Sequence, residues 1–235
     1  MNSHSFSLLP FGSLALIACA STPGAKPSDM SAAQHEEAAT SHDTEAAPHA
    51  AQYDPSADKT TSRCDGKHPC WTSVSNPTEQ HLSDAKKHRQ MAEDHRAAGQ
   101  ALRTAEAQAC VGISDADRDT SPFYHREDII GVQRAEAPSV RGKGNPPHLT
   151  GAVITFRAVP MLTAEWLQRI VDCHVGRNNA LGNDMPEMAY CPLVPKGITA
   201  KVTSTGDGFA ITIESQDPTT ATEVLRRANA LKNPG

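Results

Sequence analysis

The sequence predicts an α+β fold, in which a long helix precedes a small β-α-β-β-α module with an antiparallel sheet. Three segments after residue 150 alternate apolar and polar residues, as strands with one buried face do. Two segments with helix-start signals lie between and after them. Residues 79–109 are rich in Ala, Glu, Gln, Lys and Arg, which favour a helix. The order of these elements predicts helices packed on one face of the sheet.

An apolar segment at residues 8–18 ends at Cys19. A membrane-spanning helix needs roughly 20 apolar residues, so this segment is too short to span and is typical of a signal peptide. The tetrapeptide Leu-Ile-Ala-Cys at residues 16–19 resembles the lipobox of bacterial lipoproteins. The resemblance implies that residues 1–18 are a signal peptide removed by signal peptidase II, and that Cys19 becomes lipidated.

The same resemblance implies a location. Cys19 is followed by Ala20 and Ser21 rather than by Asp. In bacteria that sort lipoproteins by this position, the family rule favours the outer membrane. The chain is therefore expected to face the periplasm, held to the membrane by acyl chains on Cys19. Two or three chains anchor firmly, because each buried methylene contributes about 0.8 kcal/mol.

Residues 19–77 are predicted to be the lipidated cysteine and a disordered tether behind it. They consist mainly of Ala, Ser, Thr, Pro, His, Asp and Glu, with few large aliphatic side chains. Such a segment buries too little apolar surface to offset the entropy lost on ordering. His35, His42 and His49 recur at seven-residue intervals within it. A metal-capturing arm and a coincidence of composition both stay open here.

Residues 78–137 are predicted to be a helical region that begins with the long helix at 79–109. One heptad stripe of this helix consists of His81, His88, Met91, His95, Ala98, Leu102, Ala105 and Ala109. Residues seven apart on a helix are separated by about 10.5 Å, too far to share an ion whose bonds to nitrogen are about 2 Å long. Only the pairs His88–Met91 and Met91–His95 could ligate together, which would suit Cu(I). Packing of the stripe against another element is the favoured alternative.

A short helix is predicted after Ser121, with that residue as N-cap and Pro122 in the first turn. It would present His125, Glu127 and Asp128, groups that can act as general acids or bases. No nucleophile motif lies beside them, so a solvated salt-bridge cluster is favoured and no catalytic residue is assigned. Residues 138–150, with their Gly, Pro and basic residues, are predicted to be a linker.

The α+β module itself is predicted at residues 151–235. Thr163 is expected to cap its first helix, and residues 205–208 to join two strands into a hairpin. Asp217 and Pro218 are expected to start the last helix. The apolar faces of the three strands are Ala152, Ile154 and Phe156, then Ile198, Ala200 and Val202, then Phe209, Ile211 and Ile213.

Five cysteines follow the lipobox, and an exported chain meets an oxidising compartment in which disulfides persist. Cys64–Cys70 and Cys173–Cys191 are the predicted pairs, which leaves Cys110 over. A pairing of Cys110 with Cys64 or Cys70 stays open, because one sequence does not fix the connectivity.

The segment after the module's first helix also offers metal donors. Met185, Met188 and Cys191 follow one another at three-residue intervals, and His174 lies near the end of the preceding helix. Thioether, thiolate and imidazole together suit Cu(I). The favoured interpretation is that a Cys173–Cys191 disulfide takes the thiols away from any metal, with the methionines filling gaps beside it.

The composition of the chain limits the classes of function that it can have. The net charge is −5 and aromatic residues make up 4% of the chain, without a basic stripe, which argues against nucleic acid as a partner. The chain is expected to be a non-enzymatic envelope lipoprotein that binds or scaffolds an envelope protein partner in the periplasm, without a cofactor. The alternative is a periplasmic copper- or zinc-binding lipoprotein, and a hydrolase is a weaker third. The metal ligands would come from His88, Met91, His95, His174, Met185 and Met188.

Overall fold

The computed structural model describes residues 30–137, 147–183, 185 and 188–232. They form an α+β fold, as predicted. The helices are α1 (Ala32–Gln52), α2 (Glu79–Ala109), α3 (Asp115–Asp119), α4 (Ala164–Ala180) and α5 (Pro218–Lys232). The strands are β1 (Lys59–Arg63), β2 (Trp71–Ser75), β3 (Ile129–Ala137), β4 (His148–Arg157), β5 (Ile198–Ser204) and β6 (Gly208–Ser215).

A four-stranded antiparallel sheet with the order β3-β4-β6-β5 forms the module. The predicted β-α-β-β-α order is present in β4 to α5, and α4 and α5 pack against the sheet. Ile154, Ile211 and Ile213 are fully buried in its core, together with Val171 of α4 and Val224 of α5. Alternation along the strands therefore positions one continuous apolar face under the two helices.

The fourth strand, β3, extends the sheet beyond the predicted module. Residues 78–137 are thus not helical throughout, because Ile129–Ala137 pairs with β4 along its length. The helix expected after Ser121 is also wrong. Ser121 instead forms a turn in which its hydroxyl accepts from the Phe123 amide, and only Arg126–Asp128 forms a single 3-10 turn before the strand.

Two antiparallel helices form the other half of the structure. Helix α2 has the bounds predicted for it, and α1 packs along it. The prediction of disorder is therefore wrong at residues 32–52. Ser31 and Gln34 form a capping box that satisfies the first amides of α1. The alanines of this segment are good helix formers, and three of them are buried against α2.

A disulfide-closed β-hairpin connects the two helices. Strands β1 and β2 pair in register from Lys59 with Ser75 to Arg63 with Trp71, again within the segment predicted to be disordered. The Cys64–Cys70 disulfide closes the turn, which confirms that pair. All ten strand residues are exposed, including Trp71 and Val74.

A second disulfide joins α2 to α4. It pairs Cys110 with Cys173, so the predicted Cys173–Cys191 bond is wrong. The C-terminus of α2 packs so closely on α4 that a Cβ on Gly176 would lie 2.7 Å from the Ala109 Cβ, and this contact brings Cys110 within bonding distance of Cys173. Cys191 belongs to neither disulfide and is buried in the core of the module.

A buried ion cluster reinforces the same junction. Glu106 Oε1 of α2 lies 3.3 Å from Arg177 Nε of α4 and 3.5 Å from Arg118 Nε of α3. Asp119 Oδ1 lies 3.1 Å from Arg177 Nη1. The side chains of Glu106 and Arg177 are each 7% exposed, and their opposite charges compensate each other where α2 meets α4.

The predicted lipobox, signal peptide and Cys19 lie outside the described residues, as do residues 138–146 of the predicted linker. Residues 148–150 of that linker belong to β4. Across the ranges that are described, no helix combines the length and the apolar character needed to cross a bilayer.

Candidate metal centre

The seam between α1 and α2 follows a heptad pattern on both helices. Every a position in the seam is a small residue, and every d position from His35 to His49 and from His81 to His95 is histidine. The a positions are Ala32, Ala39, Ala46, Ala85, Ala92 and Gly99. The d positions are His35, His42, His49, His81, His88 and His95. We call these six histidines the histidine ladder.

Small residues at the a positions allow the two helices to approach closely. A Cβ on Gly99 would lie 3.3 Å from the Ala32 carbonyl oxygen and 3.3 Å from the His35 Cβ. Ala39, Ala85 and Ala92 are fully buried. This seam buries little aliphatic side chain, unlike an ordinary coiled coil with branched apolar residues at a and d. Stability alone therefore does not account for a row of histidines in it.

The antiparallel packing pairs each histidine of α1 with one of α2. The Nδ1 atoms of His35 and His95 are 3.0 Å apart. Those of the other two pairs, His42–His88 and His49–His81, are both 3.4 Å apart. Separations of 3.0 to 3.4 Å thus recur at heptad intervals.

The rings also contact one another between pairs. His42 stacks on His95 with ring centroids 5.5 Å apart, and His49 stacks on His88 at 5.8 Å. The six imidazoles therefore form one continuous row along the hairpin. They are six of the chain's 11 histidines.

A carboxylate joins the middle pair. Glu45 Oε2 lies 2.9 Å from His88 Nδ1 and 3.3 Å from His42 Nδ1. With the 3.4 Å between the two nitrogens, these three atoms form a nearly equilateral triangle. The Glu45 side chain is about half exposed at 51%, whereas those of His42 and His88 are 18% and 24% exposed, so the triangle is open to solvent on the glutamate side.

This triangle has the dimensions of one face of a metal coordination tetrahedron. Two ligands bound at about 2.0–2.1 Å to a tetrahedral ion lie about 3.3 Å from each other. The three edges of the triangle, 2.9, 3.3 and 3.4 Å, lie within a few tenths of an ångström of that value. Imidazole nitrogen and carboxylate oxygen are donors that Zn²⁺ accepts, and the fourth position would face solvent.

Two histidines of the ladder are held in the neutral form that metal binding requires. Burial lowers the pKa of His35, and the neighbouring His95 and Arg177 charges act in the same direction. Burial also lowers the pKa of His95, followed by the effect of His42, with Asp94 opposing. Neutral imidazole keeps a lone pair free for an ion or for a hydrogen bond.

The other predicted ligands lie elsewhere. His88 and His95 belong to the ladder, but Met91 is half-buried beside it, so the predicted His–Met pairs are replaced by His–His pairs across the seam. Met185 and Met188 are buried in the core of the module. The structure places neither methionine in the ladder.

His174 is buried on α4 and serves the fold. Its Nε2 donates to the Thr120 carbonyl oxygen over 3.0 Å. Desolvation, and then the nearby Arg177 charge, lowers the pKa of His174 to about 3, with the Thr120 hydrogen bond opposing. A neutral imidazole that bridges α4 to the segment after α3 is the role this geometry supports.

The charged group near residue 125 is an exposed salt-bridge pair. His125 Nδ1 lies 2.9 Å from Glu127 Oε1, with both side chains about two-thirds exposed. Asp128 pairs instead with Arg157. This agrees with the favoured interpretation of a solvated cluster.

Comparison with known proteins adds nothing to this geometry. No family model, curated protein or solved structure matches the chain. The ladder is therefore the feature of the molecule that bears on function. The residue that sequence reasoning missed is Glu45, whose role depends on the register between the helices.

Proposed function

We propose that the α1–α2 hairpin binds a divalent transition-metal ion at His42, Glu45 and His88. The observation that carries the proposal is the spacing of three donor atoms, the Nδ1 atoms of His42 and His88 and the Oε2 atom of Glu45, which is that of ligands on one metal ion. Both helices place histidine at successive d positions of their shared seam, which brings these atoms together. The geometry thus favours the copper- or zinc-binding alternative over a purely scaffolding role.

The donor set indicates the class of metal. Two imidazole nitrogens and one carboxylate oxygen are borderline to hard ligands, which suit Zn²⁺ and Cu²⁺. Cu(I) prefers thiolate and thioether donors, and the methionines predicted to supply them lie outside the ladder. Zn²⁺ is therefore the first ion to test, with Co²⁺ as its spectroscopic substitute.

Removal of the two central imidazoles is expected to abolish the tightest metal site. Loss of a residue that only orients a metal ligand typically weakens metal binding by about 10- to 100-fold. His42→Ala with His88→Ala removes two direct ligands, so it should weaken Zn²⁺ binding by more than that. Calorimetric titration of the purified protein measures the affinity, and visible Co²⁺ absorption reports tetrahedral coordination.

The matched control replaces two histidines that pair with carboxylates outside the ladder. His68 lies 2.7 Å from Asp65, and His125 lies 2.9 Å from Glu127, both on the surface. His68→Ala with His125→Ala should leave the tightest Zn²⁺ affinity unchanged. An equal loss in both double variants, or no binding by the wild type, would contradict the proposal.

We further propose that this metal-binding unit is a lipoprotein anchored through Cys19, with its folded part in the periplasm and its lipid in the outer membrane. The support is the Leu-Ile-Ala-Cys tetrapeptide at residues 16–19 and the residues after it. Acyl chains on Cys19 would then supply the membrane attachment. Binding to an envelope partner stays a prediction, for which the exposed β1–β2 hairpin is the surface to examine.

Metabolic labelling tests the anchor directly. Cells that express the wild type with radiolabelled palmitate should yield a labelled protein, and Cys19→Ala should yield none. Ser21→Ala serves as the control and should retain the label, because it leaves the lipidated thiol in place. Label that persists in Cys19→Ala would exclude this anchor.

A further inference from the structure

We infer that the histidine ladder holds three metal ions in a row, with a site at each end pair in addition to the central one. This inference rests on the proposed metal-binding function. It extends that function from one site with a carboxylate to an array built on His35–His95, His42–His88 and His49–His81. The chain would then be a small metal store with one tight and two weaker positions.

Of the two end pairs, His35–His95, which lies nearest the start of α1, has the stronger geometric support. His35 and His95 place their Nδ1 atoms 3.0 Å apart, close to the separation of two ligands on one ion. His35 is 6% exposed, and its Nε2 is buried without a hydrogen-bond partner in the described ranges. The two Nδ1 atoms face each other, so one ion between them would accept a lone pair from each ring.

The opposite end pair repeats the central geometry. His49 and His81 place their Nδ1 atoms 3.4 Å apart, the same distance as in His42–His88. Both residues are half-buried, which leaves room for water to complete the coordination of an ion. Among the residues that the structure describes, this pair lacks a third donor within reach, as Glu45 is for the central pair.

The spacing of the pairs permits simultaneous occupancy. Successive pairs lie one heptad apart, which on a helix is about 10.5 Å. The Debye length is about 8 Å at physiological ionic strength, so repulsion between neighbouring ions is reduced on the side of the ladder that faces solvent. Stacked rings between the pairs keep the three positions aligned. Within the described ranges the central site alone has a carboxylate, so it should fill first.

Counting bound ions tests the array on the purified protein. With excess Zn²⁺, we expect three equivalents per chain by calorimetry and by metal analysis after equilibrium dialysis, one of them tighter than the others. His35→Ala with His95→Ala should lower the count to two, and the tight site should still bind its ion although His42 loses the stacked His95 ring. His49→Ala with His81→Ala should do the same.

A conservative variant keeps the number of bound ions interpretable if a double histidine variant loosens the packing of α1 on α2. Glu45→Gln retains all six histidines, so it should keep three equivalents while weakening the tightest one by at least tenfold. Circular dichroism checks the helix content of each variant. One equivalent in the wild type, unchanged by either end-pair variant, overturns the array and leaves the central site standing. No binding at all overturns the central site as well.

Discussion

Replacing Cys110 and Cys173 together by alanine is expected to lower the free energy of unfolding by about 4 kcal/mol, because the disulfide closes a long loop. The two cysteines are 63 residues apart in sequence, and their bond restricts the unfolded chain accordingly. It also joins α2 to α4 at the point where Gly176 meets Ala109. Urea denaturation followed by circular dichroism measures the change.

The matched control removes the other disulfide. Cys64 and Cys70 are six residues apart, so the same chain-entropy argument gives only about 2 kcal/mol for Cys64→Ala with Cys70→Ala. That bond also lies in an exposed hairpin that contacts little of the core. Equal losses from the two double variants would show that loop closure does not govern the contribution of Cys110–Cys173.

Metal binding should survive the loss of the Cys110–Cys173 bond. His95, the ladder residue nearest to it in sequence, lies 15 positions before Cys110, or about 22 Å along α2. Local contacts of the seam, not the junction with the module, position the imidazoles. The module therefore reaches the ladder through α2 and through the Arg177 charge that acts on His35.

Local signals predicted those parts of the fold that local interactions determine. Thr163 accepts the amide of Trp166 at the start of α4, and Thr220 donates its amide to Asp217 at the start of α5. The turn between β5 and β6 closes through the Thr205 amide and the Gly208 carbonyl. Each of these features is encoded within a few residues, which is why the module could be predicted from the sequence.

Features that depend on docking could not be predicted in the same way. Helix α1 has no aliphatic stripe, and its small and polar residues become a buried face only against α2. Both heptad series of histidines were visible in the sequence, but their pairing needs the antiparallel register. The Cys110–Cys173 bond likewise depends on contact between helices that are distant in sequence. Cys191 is nearer than Cys110 to Cys173 in sequence, and this nearness favoured the wrong pair.

Acidification is expected to destabilise the fold through His174 by about 3 kcal/mol between pH 7 and pH 4. The folded-state pKa of His174 is about 3, against 6.5 for an exposed histidine, because the ring is desolvated beside Arg177. As the pH falls below 6.5, His174 becomes protonated in the unfolded chain, whereas in the folded chain it stays neutral down to about pH 3. Each pH unit in that window therefore costs about 1.4 kcal/mol.

His174→Gln isolates this effect, because glutamine can still donate to the Thr120 carbonyl but does not titrate. The substitution removes one titrating group, so the difference between the two stability profiles reports on His174. Unfolding free energies from urea melts should diverge in favour of His174→Gln as the pH falls from 6.5 to 4. They should run parallel above pH 7.5. Parallel profiles over the whole range would mean that His174 is protonated in the folded state, and the buried neutral imidazole would then be wrong.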